Sequence, residues 1–496
     1  PQKLTWWVMW SLVVTVWAGT FQYGYSLGSV NAAAIPIRTS IEEYHMHRYN
    51  TTLTEDQFNV IWVSIVASFP VGGLFGAALV NPLRKYDCVK SMSFLHATTI
   101  IGSILFIISK AINSFEVIIA GRLIFGMVSS AAGVGLLPMY VVEVSPRHLR
   151  GVFGSLISLF IAVGIFVANT LGLKQVLGNS NLWPLFLSLT CVPSIVFLLL
   201  CYFMPRSPRY LFIHFGNAER TERLLKKLRD TNDVSDEIND LKQELIEMNR
   251  TPPVSIWQVL SSAQLRRQLT AALVLTSAQQ LTGMNGVQIY LNRLYQLSGI
   301  EEHIIPYCSI ATSGMLVVAT ISVVGFVLLI CVQNITIYDA GILSIIATFI
   351  ADKKGRRFYF ILGFVIESVS LLVLCITALN QHRAQWIPYI AIMCALCFII
   401  GFAIGPGPIT LTCIAESFPQ RSRSPALTIA SFSLWFSFTL IVVVWSYIQE
   451  AIGGYAYLVF SFLALLAALY VYFSVPETKN RSFIEIERSY QQLKLP

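Results

Sequence analysis

Three amide side chains stand inside an apolar stretch of the sequence: Gln279, Gln280 and Asn285. An amide both donates and accepts hydrogen bonds, which suits it to an uncharged solute rich in hydroxyl groups. Gln280 and Asn285 are five residues apart and do not share one face of a regular helix. Gly283 and Gly286 allow the helix to break or bend between the two amides, so that both side chains can face the same cavity. The alternative is that the amides hydrogen-bond between neighbouring helices. Three amides beside two glycines favour a ligand site.

Two copies of a charged motif, Glu followed seven residues later by Arg, stand 273 residues apart. The first copy is Glu143 with Arg150, and the second is Glu416 with Arg423. Carboxylate–guanidinium pairs between helix ends can hold one face of a helix bundle closed and break when that face opens. A single pair would be explained by anchoring of a helix end, but the repetition favours a gate.

A third feature is the sequence GPGPIT at 405–410, with Gly405, Pro406, Gly407 and Pro408. Proline removes a backbone donor and glycine loosens the chain, so a helix through this stretch is expected to break and act as a hinge. Trp435 follows on the next apolar segment. Its ring could close over a bound solute, or it could be a large packing residue.

The remaining reactive residues argue against an enzyme. No nucleophile–base set and no metal-like cluster stands out, so neither a metal nor a cofactor is expected. Nine cysteines lie mostly within apolar segments. Cys394 and Cys397 have CxxC spacing, but no second pair or nearby histidine accompanies them, which argues against a zinc or redox site.

The composition indicates a membrane protein. Hydrophobic residues make up 55% of the 496 residues and charged residues only 12%, whereas soluble proteins average about 25% charged residues. The net charge of +8 comes from Lys and Arg placed between apolar segments, so nucleic acid is not an expected partner. The lipid bilayer is the expected environment, around an all-α fold that crosses it many times.

Apolar segments long enough to cross a bilayer divide the chain into two sets of six. We expect a first six-helix bundle at 1–204, a polar helical linker at 205–268, a second bundle at 269–474 and a tail at 475–496. NAERTERLLKKLRD and SDEINDLKQELIEMNR in the linker read as amphipathic helices. The closing segments MPRSPR and VPETKN repeat at an offset of 271 residues. Six helices, a linker and six related helices are the layout of the major facilitator fold.

The distribution of basic residues predicts the orientation. Loops on the side of the linker hold 11 Lys and Arg residues, against 6 in the opposite loops. The linker side, with both termini, is therefore expected to be cytoplasmic. Asn50 begins an Asn-Thr-Thr glycosylation sequon in an outer loop, where a plasma-membrane protein would be glycosylated.

One segment, about 306–350, is nearly twice as long as its counterpart in the first half. A second crossing here would contradict the charge distribution. Residues near 319–341 are therefore expected to form an extra loop or re-entrant piece, or to be a stretch retained from the assembly of the coding sequence, because unpaired backbone at membrane depth is costly.

The sequence resembles the facilitative sugar transporters, the GLUT family, over essentially its whole length apart from 319–341. The motifs that carry the resemblance are FQYGYSLGSVNA, GRLIFG, PMYVVEVSPRHLRG, SPRYL, QQLTGMN, GRR, GPGPI and VPETKNRSF. The resemblance implies ion-independent transport of a hexose by a rocker-switch motion. It places sugar contacts at Gln279, Gln280 and Asn285. It places a cytoplasmic salt-bridge network at Glu143, Arg150, Arg209, Asp352, Arg356, Arg357, Glu416 and Arg423.

The chain also departs from that family. Where the glucose carriers have amides, or a tryptophan after GPGPI, it has Ser158, Val317, Leu434, Phe438 and Leu411. The last is expected of the class II branch, which contains fructose and urate carriers. The basic loop of the first half has become Asp87-Cys88-Val89, and the glutamate of the PESPR motif is Arg206. The predicted site, with Ser158 and Trp435 completing it, is thus more apolar than that of a glucose carrier.

These observations leave three hypotheses. The first is a uniporter for fructose, glucose or another hexose, and its variant is a carrier of urate or another small polar solute. The second is a family member that no longer transports and serves as a sensor or binding protein. The third, a proton-coupled symporter, needs an acid inside the first-half helices, and none is evident there.

Overall fold

The long apolar segments fold into helices, as they must where no water is present to bond a free backbone group. The computed structural model describes residues 5–146, 150–250, 254–331, 355–418, 420–478 and 483–492. Over these residues the regular structure is helical throughout. Twelve membrane-spanning helices, α1–α12, are arranged as two halves of six.

The first half contains α1–α6. Helix α1 is built from Trp6–Val16, a π-helical turn at Trp17–Phe21 and Gln22–Ala32. The others are α2 at Glu55–Leu83, α3 at Cys88–Ala111, α4 at Phe115–Val144, α5 at Arg150–Leu171 and α6 at Trp183–Phe203.

The second half contains α7–α12. Helix α7 consists of three pieces, Arg266–Leu281, Met284–Ile289 and Leu291–Leu297. Helix α10 consists of two, Ile387–Ile404 and Pro406–Ser417. The others are α8 at Ile305–Cys331, α9 at Arg356–Asn380, α11 at Gln420–Ile452 and α12 at Ala456–Ser474.

Nine helical stretches within the described ranges are long and apolar enough to cross a membrane. The last of them, Ser422–Ser474, covers both α11 and α12. Helices α1 and α7 are not among these nine stretches. The all-α membrane architecture predicted from the composition is confirmed.

The linker and tail form shorter helices at the face of the bundle where α2, α4 and α6 end, which we call the linker face; the opposite one is the distal face. The linker helices are Pro208–Phe215, Ala218–Arg229, Ser235–Arg250 and Ile256–Ser261, and the tail helix is Phe483–Gln492. The two predicted amphipathic linker helices are among them. A further helix, Ala34–Tyr49, lies at the distal face.

A linker side chain completes the end of α4. The Arg229 guanidinium donates to the carbonyl oxygens of Val144 at 2.7 Å and Ser145 at 3.4 Å. Glu237 accepts a hydrogen bond of 2.9 Å from Arg229 Nε. Arg229 is almost fully buried. Glu237 balances its positive charge, and Arg229 in turn supplies hydrogen-bond donors to the free carbonyl groups at the end of α4.

Helix α8 corrects part of one prediction. It continues without interruption from Ile305 to Cys331, so the extra loop expected from about residue 319 does not begin there. Residues 332–341, the rest of that predicted insert, lie outside the described residues.

Candidate functional site

Helix α7 breaks at the glycine where the sequence predicted a bend. Gly283 has φ +101°, in the left-handed region that favours glycine. The Trp445 ring of α11 packs against the break: a Cβ added to Gly283 would lie 2.9 Å from the ring, and one added to Gly286 2.6 Å. Glycine at both positions therefore provides the backbone turn and the room for Trp445.

The break brings two of the three predicted amides together. Asn285 Nδ2 donates to Gln280 Oε1, and both side chains are buried. The five-residue spacing does not prevent this contact because Gly283 interrupts the helix between them. The pair leaves further donor and acceptor positions on each amide.

The third amide points elsewhere. Gln279 Nε2 donates to the carbonyl oxygen of Gly407 at 3.2 Å, while Gln279 Oε1 is buried without a partner among the described residues. Gly407 belongs to the sequence predicted as a hinge. Gln279 therefore ties α7 to α10, next to the amide pair.

Helix α10 is interrupted at that predicted hinge. Gly405 separates its two pieces with φ −119° and ψ −90°, and Pro406 and Pro408 begin the second piece. A Cβ at Gly405 would overlap the Tyr359 carbonyl oxygen of α9. The GPGP sequence thus gives a helix break packed closely on its neighbour.

Trp435 packs across the boundary between the halves. Its ring centroid lies 5.8 Å from that of Tyr23 and 6.1 Å from that of Phe69, both in the first half. A Cβ at Gly73 of α2 would overlap the indole. Trp435 is fully buried, and its Nε1 has no partner among the described residues. It holds the halves together at this level.

The remaining predicted wall is mostly apolar. Ser158 is half-buried on α5, and Val317 is half-buried on α8. Leu434 and Phe438 are buried beside Trp435 on α11. Ser158 is not among the described hydrogen-bond partners of the α7 amides.

A polar cluster at the distal face was missed by sequence reasoning. The Asn292 backbone N–H donates to Asn31 Oδ1 at 3.3 Å, and Asn292 Nδ2 donates to the Asn31 carbonyl at 3.1 Å. Ser309 Oγ donates to Asn292 Oδ1 at 2.7 Å, and Asn169 Nδ2 donates to Ser313 Oγ at 3.2 Å. Asparagines within apolar segments were the available signal.

A second contact closes the same face between α2 and α11. Ser446 Oγ donates to Asn59 Oδ1 at 2.9 Å, and Asn59 Nδ2 donates to the Glu450 carboxylate. The halves are therefore joined at the distal face by two separate sets of polar contacts.

At the linker face, predicted gate residues pair within each half. The Arg209 guanidinium lies 3.5 Å from the Glu143 carboxylate, which also accepts from Ser207 Oγ at 2.5 Å. Arg356 pairs with Glu416. Arg423 donates to the Phe418 carbonyl at 3.5 Å. For two predicted members no contact is described: Arg150 begins α5 but its side chain lies outside the described residues, as does all of Asp352.

One contact at the linker face crosses between the halves. Arg84, which follows α2, donates to Ser424 Oγ of α11. Burial, and then the positive charge of Arg209, lowers the pKa of Arg84. The contact between Arg84 and Ser424 therefore lies close to the Glu143–Arg209 pair.

The carboxylate after α12 caps the start of α9. Glu477 accepts the backbone N–H groups of Arg356 at 2.8 Å and Arg357 at 3.1 Å. The Arg357 guanidinium donates to the Tyr472 carbonyl. An anion at a helix N-terminus satisfies free N–H groups and opposes the positive end of the helix dipole.

In the first half, the corresponding start of α3 carries its own acid. Asp87 Oδ1 accepts the Val89 N–H at 3.2 Å, and Asp87 Oδ2 lies 3.6 Å from Arg206 Nε. Burial raises the pKa of Asp87, and the hydrogen bond from Val89 and the charge of Arg206 oppose that rise.

A buried cation also lies within the first half. Arg122 of α4 is 2% exposed, donates to the Ser26 carbonyl at 3.4 Å and stands 5.4 Å from the Phe69 ring centroid. Two of its guanidinium nitrogens have no partner among the described residues. The motif GRLIFG contained it, but the motif alone gave it no role.

Asn50, the predicted glycosylation site, is exposed. It has φ +52°, a left-handed conformation common for asparagine, at the end of helix Ala34–Tyr49. Over the described residues, no group of three or more His, Cys, Asp or Glu side chains could hold a metal ion.

The sequence matches a known family in two pieces. The profile of the family described as "Sugar (and other) transporter" matches residues 12–331 and 330–490. The two pieces meet inside the segment 319–341, where the sequence itself indicated an irregularity.

Curated relatives cover nearly the whole chain. "Solute carrier family 2, facilitated glucose transporter member 5" from Equus caballus is 32% identical over 482 residues, which span 97% of this chain and 91% of the relative. The protein of the same name from Homo sapiens gives the same identity and coverage. The one from Rattus norvegicus is 31% identical over 489 residues, 98% of this chain and 92% of the relative.

Solved structures share the fold. The xylose transporter XylE from E. coli, in a partially occluded inward open conformation, gives a TM-score of 0.76 with 20% identity, over 96% of this chain and 100% of that one. A structure of XylE described as a major facilitator superfamily proton:xylose symporter gives 0.70, also with 20% identity, over 98% and 99%. The twelve-helix chain is thus an integral membrane protein with the major facilitator fold, and it belongs to the sugar (and other) transporter family, among the facilitated glucose transporters of solute carrier family 2.

Proposed function

We propose that this chain is a facilitative carrier that moves a hexose, fructose or glucose, across a membrane by alternating access. The observation that carries the proposal is the amide pair at the break in α7. Gln280 and Asn285 are buried together in a segment that packs on both halves. Amides match sugar hydroxyls in both donors and acceptors. The relatives named as facilitated glucose transporters support a hexose as the solute.

The proposed site has three polar members on α7 and two members on other helices. Gln280 and Asn285 bind sugar hydroxyls directly. Gln279 adds its Oε1, which has no partner within the described part of the chain, and connects the site to α10 through Gly407. Trp435 covers the solute from α11, and Ser158 contributes a hydroxyl from α5.

Alternating access requires each face to open in turn while the other is closed. At the distal face, the Asn31–Asn292 and Asn59–Ser446 contacts must break to admit solute. At the linker face the proposed gate comprises Glu143, Arg150, Arg209, Asp352, Arg356, Arg357, Glu416 and Arg423. The proposed hinge is Gly405, Pro406, Gly407 and Pro408, where α10 is already interrupted.

The proposed orientation puts the linker face and both termini in the cytoplasm, in the plasma membrane. The excess of basic residues in the loops of that face supports it. Asn50 then lies outside the cell, where its exposed position suits glycosylation.

A second candidate solute is the urate anion. Arg122 favours it, because a buried guanidinium with two nitrogens lacking described partners can bind a planar anion by paired hydrogen bonds. The apolar positions Val317, Leu434 and Phe438 suit a flat ring better than a ring lined with hydroxyls.

The test is uptake of labelled fructose, glucose and urate into proteoliposomes that contain the purified chain. We expect saturable uptake of a hexose that equilibrates without concentrating it and needs no ion gradient. Empty liposomes give the baseline. Saturable uptake of urate alone would replace the hexose by the anion, and no saturable uptake of any of the three would refute the carrier and leave a sensor or binding protein.

A further inference from the structure

One acidic side chain lies deep within the second half and takes no part in the site described above. Glu367 is in the middle of α9, between Arg356 and Asn380, and is fully buried. Both carboxyl oxygens lack a hydrogen-bond partner among the described residues. An ionisable residue at membrane depth is costly and commonly marks a functional position.

The surroundings of Glu367 are apolar or uncharged. Helix α9 packs on α10 and α12, with Ser368 donating to the Ser461 carbonyl at 2.9 Å on one side and Gly363 against Gly401 on another. No charged or titratable side chain of the described helices faces the carboxyl: apart from burial, the Thr282 hydroxyl is the group that acts on it. An isolated carboxylate in such a medium is strongly disfavoured unless it is paired or hydrogen-bonded.

Thr282 connects this acid to the proposed transport site. It follows Leu281, the last residue of the first piece of α7, and stands immediately before Gly283. Its hydroxyl is fully buried, faces the Glu367 carboxyl and falls outside hydrogen-bonding geometry with it. A small shift of the α7 break would therefore make or break a contact with the acid.

We propose that Glu367 is a proton-binding site behind the break in α7. It is neutral in the closed arrangement, by which we mean the structure described here with the halves in contact at both faces. It exchanges its proton with water when the break moves. In that step the carboxyl O–H bond breaks, the proton passes to water and the negative charge stays on Glu367. Loss of the proton leaves a charge that the closed arrangement cannot accommodate. High pH therefore traps the protein away from that arrangement and slows transport.

The proton is tested directly by infrared difference spectroscopy of the reconstituted protein. We expect wild type minus Glu367→Gln to show the carbonyl stretch of a protonated carboxylic acid at neutral pH. Glu302→Gln, which changes an exposed glutamate in the loop before α8, is the matched control and should show a carboxylate band instead. Absence of the protonated band for Glu367 would overturn the proposal, whatever the transport activity.

The consequence for transport rests on the proposed function and is measured separately. Uptake by the wild type should fall about tenfold between about pH 6 and about pH 9, a range that covers strongly buried carboxyls. Glu367→Gln keeps the shape and neutrality of the acid, so its uptake should stay within about twofold across that range. A Glu367→Gln profile that follows the wild type would overturn the link to transport. A protonated band without any hexose uptake would refute the carrier and leave the proton site in place.

Discussion

Asp87 and Arg206 form an ion pair, 3.6 Å apart, that joins the start of α3 to the segment after α6. Each lies in a charged motif at which the chain departs from the family it resembles. Taken separately in the sequence, they are two unrelated changes of charge. In the structure they are partners, so one departure compensates the other.

The second half carries the same connection with its charges exchanged. There the acid, Glu477, follows the last helix, and the basic residues Arg356 and Arg357 begin α9. In the first half the acid begins α3 and the basic residue follows the last helix. In both halves an anion caps the helix that begins at this loop. In the first half the anion is Asp87, which lies in the loop itself, and in the second half it is Glu477, which lies in the segment after the last helix.

Exchanging the charges of Asp87 and Arg206 in one double variant should restore the uptake that either single charge reversal reduces. Asp87→Arg would place two cations together and Arg206→Glu two acids, and each should reduce uptake about fivefold, because a like-charge pair replaces an attractive one beside a buried position. The double variant should recover at least about half of the wild-type rate. Uptake and thermal unfolding are measured for all three.

Lys85→Glu is the control for these variants, since it reverses a charge on an exposed side chain of the same loop. It should change uptake by less than about twofold. If the double variant is as impaired as the worse single one, the two residues do not act as a pair.

Loss of Arg206 should have an effect on stability that depends on pH. Burial raises the pKa of Asp87, and Arg206 opposes that rise, so Arg206→Ala raises it further. The unpaired carboxylate then costs about 1 kcal/mol at a pH high enough to ionise it, and nothing at a pH low enough to protonate it in both the folded and unfolded states. The destabilisation of Arg206→Ala should thus shrink as the pH falls.

Thermal unfolding in detergent at about pH 7.5 and about pH 4 checks this. Adding Asp87→Asn to Arg206→Ala removes the titrating group and should remove the pH dependence. A destabilisation by Arg206→Ala that grows on acidification would contradict the expected direction.

Sequence reasoning identified these helix ends from motifs but could not determine which charges meet. The repeats placed Glu143, Arg209, Arg356 and Glu416 at one face. Their pairing within each half depends on the packing of helix ends, which neighbouring residues in the chain do not specify. Asp87 and Arg206 are 119 positions apart, and only the fold brings them together.

Removal of one amide from the α7 pair should weaken solute binding. Gln280→Ala deletes the acceptor of the Asn285 side chain and leaves a buried amide without that partner. The cost of about 1.4 kcal/mol corresponds to a roughly tenfold higher half-saturating concentration. Initial uptake rates across a range of hexose concentrations measure it.

Gln296→Ala is a matched control, because Gln296 is an exposed glutamine in the last piece of the same helix. Its half-saturating concentration should stay within about twofold of the wild type. Equal kinetics for Gln280→Ala and the wild type would exclude Gln280 from the site.

The contact between Gly73 and Trp435 gives a test across the boundary of the halves. Gly73→Ala places a methyl group on the indole and should destabilise the closed arrangement by about 1–3 kcal/mol, as expected of overpacking. We expect slower uptake and a lower melting temperature. Trp435→Ala removes the overlap but itself costs about 3–5 kcal/mol, because it deletes a fully buried side chain. In that background Gly73→Ala should therefore add little further destabilisation, which shows that the two residues are coupled.

Gly154→Ala serves as the control, since an added Cβ there meets no atom within 4 Å. It should leave uptake unchanged and stability equal or slightly higher. A harmless Gly73→Ala would show that the Trp435 ring is not held against α2 as described.

The extent to which the site was predictable follows from its chemistry. Amides and glycines in an apolar segment are conspicuous, so the break in α7 and its amide pair were within reach of sequence reasoning. Glu367 was equally conspicuous in the second half, but the search for a proton-binding acid was confined to the first. The redirection of Gln279 to Gly407 depends on the geometry of two broken helices and had no signal in the sequence.

Arg229 has a consequence for the way the protein is made. The last turn of α4 is completed by a guanidinium 85 residues further along the chain, beyond the end of α6. While the ribosome is still synthesising the linker, the first six helices can be inserted but not finished. A fragment that stops at residue 204 should therefore be proteolytically fragile, whereas one extended past Glu237 carries its own cap and should survive. The smallest self-sufficient half of this transporter includes part of the polypeptide that leads to the other.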